Sequence, residues 1–300
     1  MAAPAKTKRS KSISKPPKTA VTLSSPDKLL WPEAGVTKQG LLDYYEKVWP
    51  RMQRFVVNRP LALVRAPDGV DDQRFFQKHA SAGMHAAIKR MSDPDDGEEL
   101  LYIADFDGLA ALVQFGVVEI HIWGATVDAI ETPDQIIFDL DPDEGLDADD
   151  VRLAALDVKR RLEALDLPTF VKTSGGKGYH IVVPLKPKAD WNVVKTFAHD
   201  LVDAMEQDEP DRYTATLSKK ARQGRIFLDY LRNGRGSTTA APFSTRAKAG
   251  ATVSVPMTWA MIEQGVGPAD FTVGGRALQD ALAAPDPWAG FFAAGATLKP

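Results

Sequence analysis

The sequence predicts a mixed fold of the α/β or α+β class, built as one compact unit with two lobes. Short segments in which apolar and polar residues alternate, as in strands, are interspersed with longer segments that have the apolar spacing of amphipathic helices. No internal repeat or second linker divides the 300 residues. Hydrophobic residues make up 44% and charged residues 26%, which is ordinary for a globular chain with a sizeable core.

The helices are predicted from apolar residues spaced three or four positions apart. Thr37 is a candidate N-cap for the first helix, and Asp105 or Asp107 for the second. The last 40 residues are rich in alanine and are expected to be mostly helical or irregular. The four predicted helices cover residues 37–57, 105–115, 148–165 and 191–205.

The strands are predicted from alternation and from β-branched and aromatic residues bounded by turn residues. The glycine-rich stretch 174–178 joins two of them, so these two are expected to lie close together. The predicted strands cover residues 61–65, 75–79, 117–123, 136–141, 169–173, 179–184, 225–231 and 252–255.

The net charge of −3 argues against a nucleic-acid binder, because such domains are usually basic. The net charge, however, does not show that acidic and basic residues are concentrated in different parts of the sequence. Residues 131–166 hold twelve acids against four bases, and residues 212–248 hold nine bases against one acid, Asp229. The chain has no cysteine, which excludes disulfides, thiolate nucleophiles, iron–sulfur clusters and zinc sites that need a thiolate.

Residues 1–18 carry six basic and no acidic side chains among Ala, Ser and Pro, so we expect a disordered basic tail. The tail is interpreted either as a solubilising linker or as an electrostatic arm for nucleic acid. The sequence shows no membrane span and no signal peptide, and with the absence of cysteine this favours a cytoplasmic location. Residues 19–300 are predicted to form the folded domain.

Asp139 and Asp141 lie at the end of a predicted apolar strand. Positions i and i+2 of a strand share a face, so both carboxylates point the same way and repel each other. A divalent cation would relieve the repulsion, and oxygen ligands favour Mg²⁺, Mn²⁺ or Ca²⁺. The alternative is that the pair only caps the following helix or turn.

The segment 174–180 combines three glycines with Ser174, Lys177 and His180. Glycines allow close approach of backbone N–H groups to an anion, and the three side chains add donors suited to phosphates. No helix follows the Gly-Lys pair, so the segment is not a Walker loop. The alternative is an ordinary hairpin turn.

Asp229 and Arg232 add a further acid and base near a predicted strand, and Arg246 follows downstream. Taken alone, Asp229 is a salt-bridge partner and Arg246 a phosphate donor or a solvated charge. Taken together, three carboxylates, a phosphate-binding turn and a cluster of arginines are the components of metal-assisted nucleotidyl transfer.

The order of these motifs resembles the archaeo-eukaryotic primase superfamily, and more closely the polymerase domain of bacterial DNA ligase D, which acts in non-homologous end joining. Asp-x-Asp, Ser-Gly-Gly-Lys-Gly-x-His and Phe-Leu-Asp-Tyr-Leu-Arg-Asn occur in that order. The segments that carry the resemblance are 26–32, 59–61, 75–79, 119–121, 139–141, 174–180, 227–233 and 241–246. The resemblance implies a primase-like catalytic core of mixed and antiparallel sheets flanked by helices.

The resemblance also implies roles for individual residues. Asp139, Asp141 and Asp229 would bind two divalent cations, Mn²⁺ or Mg²⁺ with Mn²⁺ favoured. The residues that would contact the nucleotide are Ser174, Lys177, His180, Arg232 and Arg246 at the triphosphate, His121 near the sugar, and Phe75 and Phe76 stacked on a base. Lys28 and Lys38 would bind the DNA 5′-phosphate across a gap, or they are ordinary surface lysines.

The implied function is template-dependent addition of nucleotides, preferably ribonucleotides, to a primer 3′-OH at gaps and double-strand-break ends. The implied partners are DNA ends and gaps with a 5′-phosphate, NTPs or dNTPs, the Ku protein and a DNA ligase domain, in the bacterial cytoplasm at the nucleoid. The sequence contains no Lys-x-Asp-Gly ligase motif. It is therefore an excised polymerase domain or a stand-alone primase-polymerase for priming or gap filling.

Two other functions are compatible with parts of the pattern. An aspartate-nucleophile phosphatase would use Asp139 and Asp141, but such enzymes place Thr or Val two residues after the second Asp, where this chain has Asp143. A non-catalytic module that binds DNA ends would keep the basic residues and have a vestigial acidic site.

Overall fold

The computed structural model describes residues 17–298, so residues 1–16 of the predicted basic tail lie outside the described range. Helices in this range are α1 Lys38–Val56, α2 Phe106–Gln114, α3 Ala148–Glu163, α4 Trp191–Asp208, α5 Trp259–Glu263 and α6 Arg276–Ala283. Its strands are β1 Leu29–Trp31, β2 Val36–Thr37, β3 Leu61–Arg65, β4 Phe75–Gln77, β5 Ile88–Ser92, β6 Glu99–Ile103, β7 Val117–Ile122, β8 Gln135–Pro142, β9 Phe170–Thr173, β10 Tyr179–Pro184, β11 Tyr213–Thr214, β12 Ile226–Asp229, β13 Thr239–Ala240 and β14 Pro256–Met257.

Two six-stranded sheets organise the molecule, and β1 and β2 form a small separate hairpin. Sheet I has the order β13-β7-β3-β6-β5, with β4 paired to β3. Sheet II has the order β11-β12-β8-β10-β9-β14. Neighbouring strands are antiparallel except β11 and β12, which run parallel. The predicted combination of mixed and antiparallel sheets with flanking helices is therefore confirmed.

Sheet II directs alternate residues of β8 to different surroundings. Ile136, Phe138 and Leu140 are buried in the main hydrophobic core, which also contains the apolar faces of α3 and α4. The intervening Ile137 packs in a cluster with Phe55, Trp288 and Phe291. Because strand side chains alternate, Asp139 and Asp141 share the face of Ile137, away from the main core.

The ends of the helices follow from capping chemistry. Thr37 Oγ1 accepts from the N–H of Gly40 at the start of α1, and Asp105, of the two candidates, caps α2. At α3, Asp147 and Asp150 form a reciprocal capping box. Part of the acidic stretch 131–166 therefore has a structural use at a helix N-terminus, where negative charge is favourable.

Two strand predictions need correction. Residues 252–255, predicted as a strand, make only isolated bridges, and the strand in this region is β14. These residues bond irregularly in two directions, since Thr173 donates to the Val255 carbonyl and Phe243 to the Ser254 carbonyl. The predicted strand 225–231 ends at Asp229, because Leu231–Asn233 forms a short 3₁₀ turn.

The hairpin of β5 and β6 was not predicted from the sequence. The burial pattern of β5 explains this, because Lys89, Arg90 and Ser92 are exposed and hide its alternation. In residues 17–298, no helix is both long enough and apolar enough to cross a membrane.

Candidate active site

Four residues on neighbouring strands of sheet II form a cross-strand row, here called the carboxylate row. Asp229 of β12 lies opposite Asp139 of β8, which lies opposite His180 of β10, and His180 lies opposite Lys172 of β9. Directly opposed residues of antiparallel strands point to the same face, with Cβ atoms about 5 Å apart. The register thus brings three predicted site residues together and adds a lysine.

Hydrogen bonds and ion pairs connect the row from end to end. Arg232 Nε lies 2.9 Å from Asp229 Oδ2 and 3.5 Å from Asp139 Oδ2. His180 Nε2 lies 3.3 Å from Asp139 Oδ1, and Lys172 Nζ lies 2.9 Å from His180 Nδ1 and 2.8 Å from Ser254 Oγ. When Lys172 is charged it only donates, and His180 then accepts at Nδ1 and directs Nε2–H to Asp139.

Burial and neighbouring charges shift the pKa values along the row in different directions. Burial would raise the pKa of Asp139, but His180, Arg232 and Lys172 hold it well below its usual range. Burial raises the pKa of Asp229 despite Arg232, and Asp139 adds to the increase. Burial lowers the pKa of Lys172 to about 7 and, together with Lys172, lowers that of His180 to about 4.

Asp141 extends from the same face but is solvent-accessible, with 58% of its side chain exposed. Its Oδ2 accepts from Arg222 Nη1 at 2.6 Å. Between residues 17 and 298, no three acidic or histidine side chains converge closely enough to hold a metal ion. The geometry explains this finding, because Arg232 bridges Asp229 and Asp139 while Arg222 engages Asp141.

The glycine turn, residues Ser174–Gly178, joins β9 to β10 beside the row. Ser174 Oγ accepts from the backbone N–H groups of Gly176 and Gly178, so this side chain organises the turn itself. A Cβ at Gly178 would lie 1.9 Å from the Leu140 carbonyl oxygen, which allows only glycine there. Gly175 has φ +68°. Lys177 is exposed at the tip of the turn.

Arg246 connects the glycine turn to sheet I. Its Nη1 donates to the Ser174 carbonyl, and its Nε donates to Glu119 Oε2 at 3.1 Å. Glu119 lies two residues before His121 on β7 and accepts from His121 Nε2 at 2.7 Å. The structure thus places Arg246 and His121 in one network beside the turn.

Phe75 and Phe76 lie on the short strand β4, with 43% and 60% of their surfaces exposed. The Phe76 ring meets His121 edge to face, with 6.5 Å between the ring centroids. The pairing of Phe76 with Val64 on β3, and of Val64 with Glu119 on β7, places Phe76 in the same row as Glu119. An exposed aromatic surface therefore adjoins the predicted sugar site.

Lys28 and Lys38 line a separate cavity of about 270 Å³, here called the lysine pocket. Lys38 Nζ donates to the Ser24 carbonyl at 3.0 Å and to Gln114 Oε1 at 2.9 Å. Lys28 Nζ pairs with Asp68 at 2.7 Å. The third base of the pocket is Arg65, whose guanidinium lies 3.4 Å from the Phe115 ring centroid. No residue of the carboxylate row or the glycine turn lines this pocket.

A family model described as LigD, primase-polymerase domain, matches residues 37–288. The chain belongs to this family. Membership in the LigD primase-polymerase family confirms the fold and the enzyme class predicted from the sequence, a nucleotidyltransferase of the primase-polymerase type. The aspartates, the glycine turn, Arg246 and His121 all fall within the matched residues.

The relatives of this primase-polymerase domain include longer proteins that are named as multifunctional. It is 36% identical over 290 residues to the multifunctional non-homologous end joining protein LigD of Pseudomonas aeruginosa, covering 95% of this chain and 34% of that protein. It is 34% identical over 243 residues to the protein of the same name from Mycolicibacterium smegmatis, covering 80% and 32%. The chain thus spans about a third of the length of these relatives.

A solved structure has the same fold along nearly its whole length. The polymerase domain of Mycobacterium tuberculosis ligase D, determined in complex with DNA, matches with a TM-score of 0.83 and 28% sequence identity. The match covers 92% of this chain and 99% of that one.

Sequence reasoning missed five residues that the structure of this primase-polymerase domain places at the two sites. Lys172 is buried and Lys248 is exposed, and both lie near the glycine turn, since a Cβ at Gly176 would lie 2.6 Å from Lys248 Nζ. Lys172 could have been found from the pattern, because it lies in a predicted buried strand. The other residues are Arg222 and Arg65, together with Glu119, which belongs to the motif segment 119–121 but was given no role of its own.

Proposed function

We propose that this primase-polymerase domain adds nucleotides, preferably ribonucleotides, to a primer 3′-OH on a DNA template and releases pyrophosphate. It would act at gaps and double-strand-break ends in the bacterial cytoplasm, at the nucleoid. The observation that carries the proposal is the carboxylate row beside a glycine turn, in a chain of this family. Ku and a DNA ligase domain are proposed partners, because the relatives are named as end-joining proteins.

The donor set fits divalent cations. Asp139 and Asp229 are directly opposed, and Asp141 shares the face of Asp139, so oxygen ligands for Mn²⁺ or Mg²⁺ lie on one surface. Arg222 and Arg232 now balance this negative charge and would have to move aside. Two such cations, when bound, would stabilise the charge on the attacking and leaving oxygens.

The basic side chains around the glycine turn would bind the triphosphate. Lys177 is exposed for this role, Lys248 reaches toward Gly176, and Arg246 lies against the turn. Arg232, once released from the carboxylates, would add a donor. Ser174 would contribute by shaping the turn, because its oxygen already accepts two backbone N–H groups.

The sugar and base of the incoming nucleotide would extend from the glycine turn toward sheet I. His121 would face the sugar, and the exposed rings of Phe75 and Phe76 offer surfaces on which a base can stack. The lysine pocket would bind the 5′-phosphate on the far side of a gap, through Lys28, Lys38 and Arg65.

The test is primer extension on a one-nucleotide gap with a 5′-phosphate, comparing ribo- and deoxyribonucleotides with Mg²⁺ and with Mn²⁺. We expect wild-type protein to incorporate ribonucleotides faster, and most rapidly with Mn²⁺. The double variant Asp139→Ala, Asp141→Ala should abolish extension and retain DNA binding, because the lysine pocket is unchanged.

Undiminished extension by the double variant would refute the assignment of the metal ligands. Tight DNA binding by wild-type protein, without incorporation in Mn²⁺, would favour the non-catalytic module that binds DNA ends. Turnover of a chromogenic phosphate ester in the absence of DNA would favour the phosphatase.

A further inference from the structure

Glu119 is a buried carboxylate, only 6% exposed, whose two oxygens both accept hydrogen bonds. Oε1 accepts from the backbone N–H of Ala247 at 2.7 Å. Oε2 accepts from His121 Nε2 at 2.7 Å and from Arg246 Nε at 3.1 Å. A single side chain thus holds two residues of the proposed nucleotide site and the backbone that follows one of them.

The two residues held by Glu119 face different parts of the proposed nucleotide. His121 lies beside Phe76, on the side of the sugar and base. Arg246 reaches across to the Ser174 carbonyl at the start of the glycine turn, on the side of the phosphates. Glu119 therefore lies where sheet I meets the turn of sheet II, and its position sets the relative placement of both groups.

The charges in this network determine which nitrogen of His121 carries the proton. Burial would raise the pKa of Glu119, but the hydrogen bond from His121 and the charge of Arg246 lower it to about 2, so the carboxylate only accepts. Burial lowers the pKa of His121 despite Glu119, which favours the neutral ring. A neutral ring that donates from Nε2 has an unprotonated Nδ1.

We propose that Glu119 is a positioning residue of the nucleotide site, which directs His121 Nδ1 as a hydrogen-bond acceptor toward a sugar hydroxyl and holds Arg246 against the glycine turn. The proposal rests on the proposed function, since it assumes that a nucleotide occupies this surface. An acceptor at Nδ1 suits a hydroxyl, which can donate, and does not suit a phosphate oxygen, which cannot.

Glu119→Gln tests the hydrogen-bonding role with almost no change in side-chain shape. The amide has one acceptor oxygen where the carboxylate has two. If that oxygen faces Ala247, the N–H₂ group opposes His121 and Arg246, and if it faces His121 and Arg246, the N–H₂ group opposes the Ala247 N–H. In either orientation at least one hydrogen bond is lost and two donors face each other, so the variant should loosen the placement of His121 and Arg246 without changing the size of the side chain.

The first measurement is ¹⁵N NMR of histidine-labelled protein without nucleotide, with the His121 signals assigned through His121→Asn. We expect Nδ1 to be unprotonated in wild-type protein, with the proton on Nε2. Protonation of Nδ1 in wild-type protein would overturn the proposal. The wild-type spectrum tests the proposed tautomer of His121 even if the variant does not fold.

The second measurement is the KM and kcat of ribonucleotide incorporation at the phosphorylated gap. We expect Glu119→Gln to raise KM about tenfold and to change kcat less than about threefold, because the lost interactions position the bound nucleotide. The matched control is Asp157→Asn, since Asp157 also accepts from two arginines and a third side chain, on α3. The control should leave both constants unchanged.

The two measurements separate the inference from the proposed function. If wild-type protein does not extend a primer, the proposed function is refuted. The NMR spectrum would still show which nitrogen of His121 carries the proton. An unchanged KM in an active Glu119→Gln variant, or an equal rise in KM in Asp157→Asn, would refute the positioning role.

Discussion

The carboxylate row and the lysine pocket carry opposite charges, and the protein balances those charges differently. Two of the acids on the face of the row have an arginine within 3 Å, Arg232 beside Asp229 and Arg222 beside Asp141. In the pocket, Lys38 donates to neutral oxygens of Ser24 and Gln114. Of the two pocket lysines, the one with a described acidic partner is Lys28, which pairs with Asp68.

The difference shows how each region would meet its ligand. A cation at the row would have to displace internal ion pairs, so its binding would depend on rearrangement of Arg222 and Arg232. The pocket keeps an excess of positive charge, which attracts phosphate directly and is weakened by salt. Catalysis should therefore be sensitive to the row, and recognition of the 5′-phosphate to the pocket.

The largest expected effect comes from removing one charge from the row. Asp229→Asn keeps the side-chain shape but removes a carboxylate opposite Asp139. We expect the rate of primer extension to fall by about a thousandfold, because a charged group at the reaction centre is lost. Binding to phosphorylated gaps should persist, and Glu144→Gln, at an exposed acid shortly after β8, is the control. An extension rate close to that of wild-type protein would contradict this role of Asp229.

A change in the backbone should damage the row and leave the pocket intact. In Gly178→Ala the new Cβ would lie 1.9 Å from the Leu140 carbonyl oxygen, which forces β8 and β10 apart. We expect the free energy of unfolding to fall by about 2 kcal/mol in urea denaturation. Gly145→Ala, where a Cβ meets nothing within 4 Å, should be near neutral. Equal stability of the two variants would show that the row does not depend on this close approach.

A smaller effect is expected when the pocket loses one lysine. Lys38→Ala should weaken binding to 5′-phosphorylated gaps about tenfold, because it removes one charge-assisted hydrogen bond. Binding to unphosphorylated gaps should be unchanged in a fluorescence anisotropy titration. Lys47→Ala, an exposed lysine on the same helix, is the control. If both substrates lose affinity equally, the pocket does not recognise the 5′-phosphate.

The smallest expected effect concerns Glu119, which is paired with Arg246 in the way that Asp229 of the carboxylate row is paired with Arg232. Folding lowers the pKa of Glu119 from 4.5 to about 2, so the unfolded chain takes up its proton first as the pH falls. The stabilisation is complete above pH 4.5 and is lost as the pH decreases toward 2. Compared with Glu119→Gln, wild-type protein should lose about 1 kcal/mol more of its unfolding free energy between pH 6 and pH 3.5. Parallel pH profiles would show that folding does not lower the pKa of Glu119.

Much of the fold could be predicted from periodicity and caps. The helices beginning after Thr37 and Asp105 and the strands β3 and β10 occur where the pattern indicates, because their apolar faces are regular. The hairpin of β5 and β6 could not be predicted, since its exposed residues break the alternation. Residues 252–255 mimic a strand in composition but bond in two directions.

The candidate site, like the fold, could be predicted from the sequence only in part. Asp139 and Asp141 share a face because of local alternation, which the sequence contains. Lys172 and Glu119 were missed, because their importance depends on which strands are neighbours and on register. The basic stretch 212–248 is likewise less free than its composition indicates, since Arg235 pairs with Asp93 and Glu131 and Arg246 with Glu119.

The sequence by itself determined the alternation of helices and strands, the absence of thiolate chemistry and the motifs that indicate a primase-polymerase. These properties depend on residue type and short-range spacing. Only the tertiary structure decided that Asp229 lies opposite Asp139, that arginines from the basic stretch balance the acids, and that Glu119 joins His121 to Arg246. The physical reason is that strand register and long-range electrostatic pairing join residues that are far apart in the sequence, such as Glu119 and Arg246, which are 127 positions apart.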